Sequence, residues 1–527
     1  MKNHSLRQPN AFPVTTLAQA LAGVLVLSLH AGARAQELPP SELVEVEVPV
    51  GPPPRIWVVP RVSIAQRLSD NGQLTTQNRQ GEQTTEVSPG INMVVNTARL
   101  RGFLDYSLRG IYDAQNTVRD NFQQALNANG TFEAWDNRAF IDLSGVIGQQ
   151  AISAFESPSV EAVGNRNLSE TSSFRVSPYL RGNLVGSVDY ELRYSLQTTK
   201  TDTVTRSDLR SAEALARFGR EAVGQAFGWT LEASTGELEY DFGVKSKMDT
   251  VNGRLAYAVD PTLVVSALAG VDSNNLLTPN MKSYQSKGLS LDWRPSERTR
   301  VYVERSNRYF GKGHNVEVEY RHRRSVWRFV DTRDVSTGQL DANSASMGSL
   351  SGLIEGLIDQ PDPVLRAQEV NRRLEQLGLP ANFEVFPGFL TSAASVQRTQ
   401  ELSLGLFGQR NAVVFAVSRN NTRPLAPALI NLGDDFGLTQ AIQQRAWTAS
   451  FAHRLTPLTA LNVVYTRQSN QSIDNAALKN RLSSMTLGMT TRLGYRTSGV
   501  LQFRHSVYEG SNPYRENAVL GVLTHRF

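Results

Sequence analysis

The chain of 527 residues contains no cysteine. A fold of this size without thiols has no disulfide staple, no thiolate metal ligand and no cysteine nucleophile, which removes several enzyme classes. Long hydrophobic runs are missing too. Beyond the first residues no stretch of 18 consecutive apolar residues occurs and the mean hydropathy is −0.31, so a polytopic helical membrane protein is excluded. Net charge is small. The formal +5 includes Lys2, Arg7 and Arg34, and without residues 1–35 it falls to +2, too near neutral for a broad basic field; nucleic acid is not an expected partner. Histidine is sparse, with only His314, His322, His453, His505 and His525 beyond the leader. None has a metal-ligand spacing, so no metal, cofactor or catalytic set is expected.

What is present begins with an export signal. Lys2 and Arg7 precede an apolar run at 18–29, followed by Ala33-Arg34-Ala35. This pattern predicts a secretory signal peptide over 1–35 with the mature chain starting at Gln36. No Pro- or Gly-rich linker divides the chain after residue 60, so a short periplasmic extension at 36–55 and one closed structure over 56–527 are expected.

Period-two alternation in segments of roughly 10 to 14 residues dominates the remainder, the length of a tilted strand crossing a bilayer. Leu100, Gly102, Leu104, Tyr106, Leu108, Gly110 and Tyr112 alternate with Arg99, Arg101, Phe103, Asp105, Ser107, Arg109, Ile111 and Asp113. Val188, Tyr190, Leu192, Tyr194 and Leu196 stand against Asp189, Glu191 and Arg193, and Val316, Val318 and Tyr320 against Glu317 and Glu319. A soluble sandwich also alternates, but its connections do not sort by length. Here every second link is short: Tyr495-Arg496, Thr456-Pro457, Arg410, Arg324-Ser325, 295–297, Asp260-Pro261, Gly186, 135–137 and Thr97-Ala98, with longer polar links between them. Short periplasmic turns and long outer loops are the mark of an all-β, antiparallel outer-membrane barrel. About 22 strands are expected, an even number within 18–22, with both termini periplasmic.

Trp135, Trp293 and Trp327 fall beside the short turns, as an interfacial aromatic girdle requires. The chain ends on Phe527 with Val519, Gly521, Leu523 and His525 on the same parity, a terminal strand suited to recognition by barrel-assembly machinery. The charges alternating with the apolar face are mixed in sign and are read as hydrogen-bonded ladders bordering a wet lumen. Asp331 and Arg333 break the pattern, sharing the outward parity of Trp327 and Phe329; a bulge or a short apolar band is expected there. Arg321, His322, Arg323, Arg324 and Arg328 form a basic cluster at a turn, read either as an entrance for an acidic polymer or as headgroup contact.

Two segments read as helices in outer loops. One is 207–224, with Leu209, Ala212, Leu215, Ala216 and Ala222. The other is 362–378, with Asp362 as N-cap, Pro363 first, then Val364, Ala367, Val370, Leu374 and Leu377 before Gly378. The second lies in the longest connection, about 340–395; it is expected either to fold into or across the outer mouth as a constriction, because a barrel near 22 strands needs its bore closed, or to form a surface cap packed on neighbouring loops.

Residues 57–71, Val87-Ser88-Pro89-Gly90-Ile91, Ser306-Asn307-Arg308-Tyr309-Phe310-Gly311, the run from Tyr320 to Trp327, and Leu406-Phe407-Gly408-Gln409-Arg410-Asn411 resemble the PEP-CTERM-system-associated outer membrane proteins over nearly the whole mature chain. That family accompanies exosortase and exopolysaccharide gene clusters. The resemblance implies a barrel that helps build or export an extracellular matrix, with no catalytic residues to carry over; lacking a PEP sorting tail, the chain would be machinery rather than sorted cargo. The expected function is therefore a conduit or accessory barrel for exopolysaccharide, in contact with outer-membrane lipid, lipopolysaccharide and an export machinery. A structural or adhesive barrel without transport is the alternative, and a rim enzyme using His314 is the third reading.

Overall fold

A strand with one apolar and one polar face is stable only when both backbone edges are paired. The computed structural model describes residues 55–527 except 115–120, 160–162, 185–186, 204–207, 223–224, 242–244 and 426–434, and describes the 338–394 connection only at Ile354, Ile358, Arg366, Glu369, Val370, 372–374, 389–391 and Ala394. The expected signal peptide and almost all of the 36–55 extension lie outside the described residues, as does the Gly186 turn residue.

The strands are β1 (Ile56–Ser69), β2 (Glu82–Asn96), β3 (Leu100–Asp113), β4 (Asn121–Trp135), β5 (Ala139–Ala151), β6 (Leu168–Leu184), β7 (Val188–Thr201) and β8 (Leu209–Arg220). There follow β9 (Phe227–Tyr240), β10 (Ser246–Asp260), β11 (Leu263–Asn274), β12 (Lys282–Ser296), β13 (Thr299–Arg308), β14 (Gly311–His322) and β15 (Ser325–Ser336). The last seven are β16 (Ser395–Phe407), β17 (Asn411–Pro424), β18 (Ile442–Arg454), β19 (Thr459–Ser472), β20 (Lys479–Arg492), β21 (Thr497–Glu509) and β22 (Tyr514–Arg526). Each pairs antiparallel with its sequence neighbours in one 22-stranded sheet, and β1 closes on β22 through pairs such as Ile64↔Leu523. Ser63 Oγ and Thr524 Oγ1 lie 2.8 Å apart across this seam, and the Phe527 amide donates to the Pro60 carbonyl at 3.0 Å. A closed barrel leaves no exposed edge.

Both described termini and the short turns share one end, here the turn end. The loop end carries the longer connections. Thr97 closes the β2–β3 turn by accepting at its hydroxyl from the Leu100 amide at 2.9 Å, and Asn137 takes φ 56° in the β4–β5 turn. Two links depart from the long–short alternation, the first being 221–226 between β8 and β9 at the turn end, which is longer than 241–245 between β9 and β10 at the loop end. In the second, β13 and β14 meet at the loop end through Tyr309 and Phe310 alone, with Arg308 opposite Gly311, whose φ of 98° suits glycine. The helix expected at 207–224 is also corrected, because Leu209–Arg220 is strand β8, bonded to β7 on one edge and β9 on the other. Ladder pairing on both sides outweighs the helical preference of its alanines.

Register fixes the faces. Leu104 stands opposite Met93 and Ala128, and Leu192 opposite Leu180 and Ala216, giving an apolar outward band. Trp135, Trp293 and Trp327 lie outward at the turn end, each at least 43% exposed; Trp57 has the inward parity of Arg61. Register shifts beside Trp135 and Trp293 mark the same level. Between β14 and β15 the pairing runs unbroken from His322↔Ser325 to His314↔Arg333, so there is no bulge and the apolar band is short there.

Candidate functional site: the inner wall

Inward positions next to water should carry polar side chains, and most do. Arg61 forks onto Asp105 at 2.6 and 2.8 Å, Arg109 onto Glu86 at 2.7 and 2.8 Å, and Arg193 reaches Asp142 and Glu191 at 2.8 Å each. Arg504 meets Glu516 at 2.9 Å with both side chains nearly buried. Paired charges of both signs give a hydrophilic wall without a net field, and bidentate forks fix their geometry. Asp105, Arg109, Glu191, Arg193, Glu317 and Glu319 therefore sit where the alternation places them. In the basic cluster, Arg321 and Arg328 face inward and pair with Glu319 and Glu317, while His322, Arg323 and Arg324 are exposed at the turn. Arg99, in the β2–β3 turn, accepts at its carbonyl from the Glu133 amide at 2.7 Å.

One inward patch is apolar. Ala412 and Val414 on β17, Ala452 on β18 and Val464 on β19 form a buried cluster with Ile354, Ile358, Val370 and Leu374 from the 338–394 connection, with Phe407 packed against it. Ala412 is the second residue of β17 and Ala452 lies two residues from the end of β18, so the connection leaves the loop end and descends to the turn end. Arg366, Glu369, Val370 and 372–374 are helical. Val370 and Leu374, four apart, share the face against the wall, and Ile354 and Ile358 repeat that spacing. Glu369 accepts from Arg372 at 2.6 and 2.7 Å and from Arg373 at 2.9 Å; the Arg372 hydrogen bonds hold its carboxyl below the usual range. The described residues of the connection expected to reach the mouth thus pack on the inner wall, toward the turn end. Asp362, Pro363, Val364, Ala367, Leu377 and Gly378 lie outside the described residues.

A second segment enters the loop end. The β5–β6 connection folds inward, and its backbone is held by side chains on β19–β22: Asn470 and Asn480 donate to the Ala154 carbonyl at 2.6 and 2.9 Å, and Tyr508 donates to the Phe155 carbonyl at 3.1 Å. The Ala154 amide donates to Asp435 at 2.7 Å, and Ser157 Oγ lies 2.8 Å from the Tyr514 hydroxyl. Phe155 packs with Ala154, Phe436 and Ile442, joined by Phe389 and Leu478. Phe389 belongs to the 338–394 connection and bridges Ala151, with the Leu390 amide donating to the Ala151 carbonyl at 3.0 Å. The two segments therefore touch at the loop end. In the β1–β2 connection Leu74 packs on Tyr508 and Tyr514.

Among the described residues no group of three or more His, Asp or Glu could hold a metal ion. His314 does not face the lumen; it stands outward with Nε2 2.9 Å from Asp331, which also accepts from Arg398 and Gln400. His505 and His525 are outward as well, near Asn517 and Thr497, and His453 is beside Asn411. The Asn470, Asn480, Tyr508 and Tyr514 platform escaped sequence reading, since inward Asn and Tyr at strand ends look like ordinary lumen polarity.

No protein-family model and no curated protein matches the sequence. Among solved structures, the FrpB iron transporter of Neisseria meningitidis (F5-1 variant), apoprotein form, aligns with TM-score 0.50 and 10% identity over 89% of this chain and 81% of its own. A second FrpB structure of that variant gives TM-score 0.50 and 11% identity over 89% of this chain and 82% of its own. The fold is that of these large barrels.

Proposed function

We propose that the chain is an outer-membrane barrel, loop end outside and termini periplasmic, that conducts a large polar solute once its own internal connection moves aside. The carrying observation is the apolar patch at Ala412, Val414, Ala452 and Val464, which a water-filled bore would leave wet and which the 338–394 connection covers. The polar, charge-balanced remainder of the wall suits a hydrated cargo. The fold relatives include proteins named as iron transporters, which supports transport as the class. Membership of the PEP-CTERM-associated family would make the cargo exopolysaccharide or another matrix polymer, with the matching export machinery as partner; the turn-end basic residues Arg323 and Arg324 would then meet an acidic polymer. We read the chain as a conduit rather than an enzyme. Planar-bilayer conductance of the purified full chain and of a variant lacking 342–392 tests the reading, together with sensitivity of expressing cells to large antibiotics. The wild type should be nearly closed and the deletion open. A deletion that inserts normally yet leaves conductance and permeability unchanged overturns it.

A second reading is favoured by one observation: the main-chain carbonyls of Ala154 and Phe155 are tied to the wall by three side chains, which suits a permanently shut structural or adhesive barrel.

A further inference from the structure

The outward face is not the same all round. On β13 and β16–β20 the apolar rungs stop partway up and a belt of arginines replaces them on the loop-end side: Arg305, Arg398, Arg419, Arg445, Arg467 and Arg481 all have outward parity. The outward acids on β12–β22 are Asp331 and Glu509. Asp331 serves Arg398 at 2.7 Å, and Glu509 serves Arg481 at 3.2 Å. The far wall differs, since there Glu237 bridges Lys245 and Lys247 at 2.7 and 2.9 Å and the belt is mixed in sign.

The centre of the belt has no such compensation. Arg419 and Arg445 are directly opposite across β17 and β18, a like-charge pair that is destabilising when unrelieved. Arg467 lies diagonal to Arg445, because Arg445 faces Ser469 and Trp447 faces Arg467. Among the described residues no carboxylate pairs with any of the three. Arg419 and Arg445 are exposed, and Arg467 is half-buried. Immediately toward the turn end, Trp447 and Tyr465 form an aromatic pair with centroids 4.8 Å apart. Such rings mark the headgroup level of a bilayer. The arginines are eight residues up β17 and β19, about 20 Å along the axis for strands tilted near 40°, close to the height of an apolar band of about 25 Å. Guanidinium groups just beyond an interfacial aromatic pair sit where lipid phosphates lie, and their forked donors match phosphate oxygens.

We propose that Arg419, Arg445 and Arg467 form a binding site on the outer wall for the phosphate groups of a phosphorylated glycolipid of the outer leaflet. The proposal rests on the membrane placement given above but not on transport, so a failed conductance experiment leaves it standing. A bound phosphate relieves the Arg419–Arg445 repulsion and anchors lipid to one side of the barrel.

The test is native mass spectrometry of the full chain in neutral detergent, titrated with bisphosphorylated lipid A and with the same lipid dephosphorylated. The wild type should retain the phosphorylated lipid at least about tenfold more tightly than the dephosphorylated one. Changing all three residues (Arg419→Gln, Arg445→Gln, Arg467→Gln) should weaken retention about 100-fold, from about fivefold per charge removed near a lipid surface. The triple Lys replacement should keep most of it, and Lys247→Gln on the far wall should change nothing. Heat-modifiable migration checks that each variant is folded, and if the triple Gln variant is not, Arg445→Gln alone should lose about fivefold. Equal retention of the dephosphorylated lipid, displacement by inorganic phosphate alone, or an Arg445→Gln variant that binds as the wild type overturns the proposal.

Discussion

Asn480 donates from Nδ2 to the carbonyl oxygen of Ala154 at 2.9 Å, joining positions 326 apart in sequence. Asn470 donates to the same oxygen at 2.6 Å. A carbonyl with two lone pairs accepts both, so the pair behaves as one clasp on the β5–β6 connection.

Opening that clasp should free the connection while β19 and β20 stay paired along the rest of their ladder, with the Asn470 amide losing its acceptor at Asn480 Oδ1, 3.2 Å away. Asn480 also donates to the Glu156 carbonyl at 3.0 Å. Three side-chain bonds of about 1 kcal/mol each are then lost, so replacing both (Asn470→Ala, Asn480→Ala) should lower hydrogen-exchange protection of the 152–158 amides by about 150-fold. Unchanged protection there would mean that Tyr508 and the Phe155 cluster hold the segment by themselves.

Leu374 is 1% exposed in the cluster on the inner wall. Leu374→Ala should destabilise docking of the 338–394 connection by about 2 to 5 kcal/mol, the usual cost of emptying a buried leucine site. Thermal mobility shifts of the barrel on gels should stay at wild-type values while basal conductance rises. Should heat stability fall and conductance stay flat, the patch would be part of the barrel's core rather than a seat for a closing segment.

The wall itself predicts an asymmetry. Leu104→Arg places a charge within the outward band between Met93 and Ala128 and should cost about 2 to 4 kcal/mol, whereas Ser107→Arg, on the inward parity, should cost little. Equal losses in a refolding titration would contradict the facing.

Acid should loosen one contact between loops. Asp474, in the β19–β20 connection, accepts from the Thr439 hydroxyl and from the Gln440 amide at 3.0 Å, and these bonds lower its carboxyl to about 2. A carboxyl whose folded value is depressed stabilises the folded arrangement fully above its ordinary value near 4 and loses that contribution as pH falls toward about 2. Exchange of the Gln440 amide, corrected for intrinsic rate, should lose protection across that window in the wild type. In an Asp474→Asn variant the window should vanish.

Much of the architecture was legible because period-two alternation and turn spacing report the same object. The short links expected at Tyr495-Arg496, Thr456-Pro457 and Arg410 fall between β20 and β21, between β18 and β19, and between β16 and β17. The failures have local causes. In 207–224 the central outward positions of β8 are Ala212, Ala214 and Ala216, so small residues on both parities blurred period two and Leu209, Ala212 and Ala216 imitated a helical stripe. The link between β13 and β14 was expected to be long, because Tyr309 and Phe310 are bulky and only Gly311 carries a turn signal. For the closing connection, the apolar stripe at Val370 and Leu374 announced a surface to cover, but its seat is spread over Ala412, Val414, Ala452 and Val464 on three strands. No single segment shows that these small inward residues make one patch.

The closing element is continuous with the wall at both ends, entering from β15 and returning to β16, which are adjacent in the sheet. It is tethered as a flap is to a door frame, and it cannot be drawn out whole through the turn end as a separate stopper could. In the opening proposed above, movement would pivot about residues 337 and 394 and uncover Ala412, Val414, Ala452 and Val464 on β17–β19. Under that proposal the passage would be a crescent off the barrel axis, and a solute using it would follow a lopsided channel with one greasy bank.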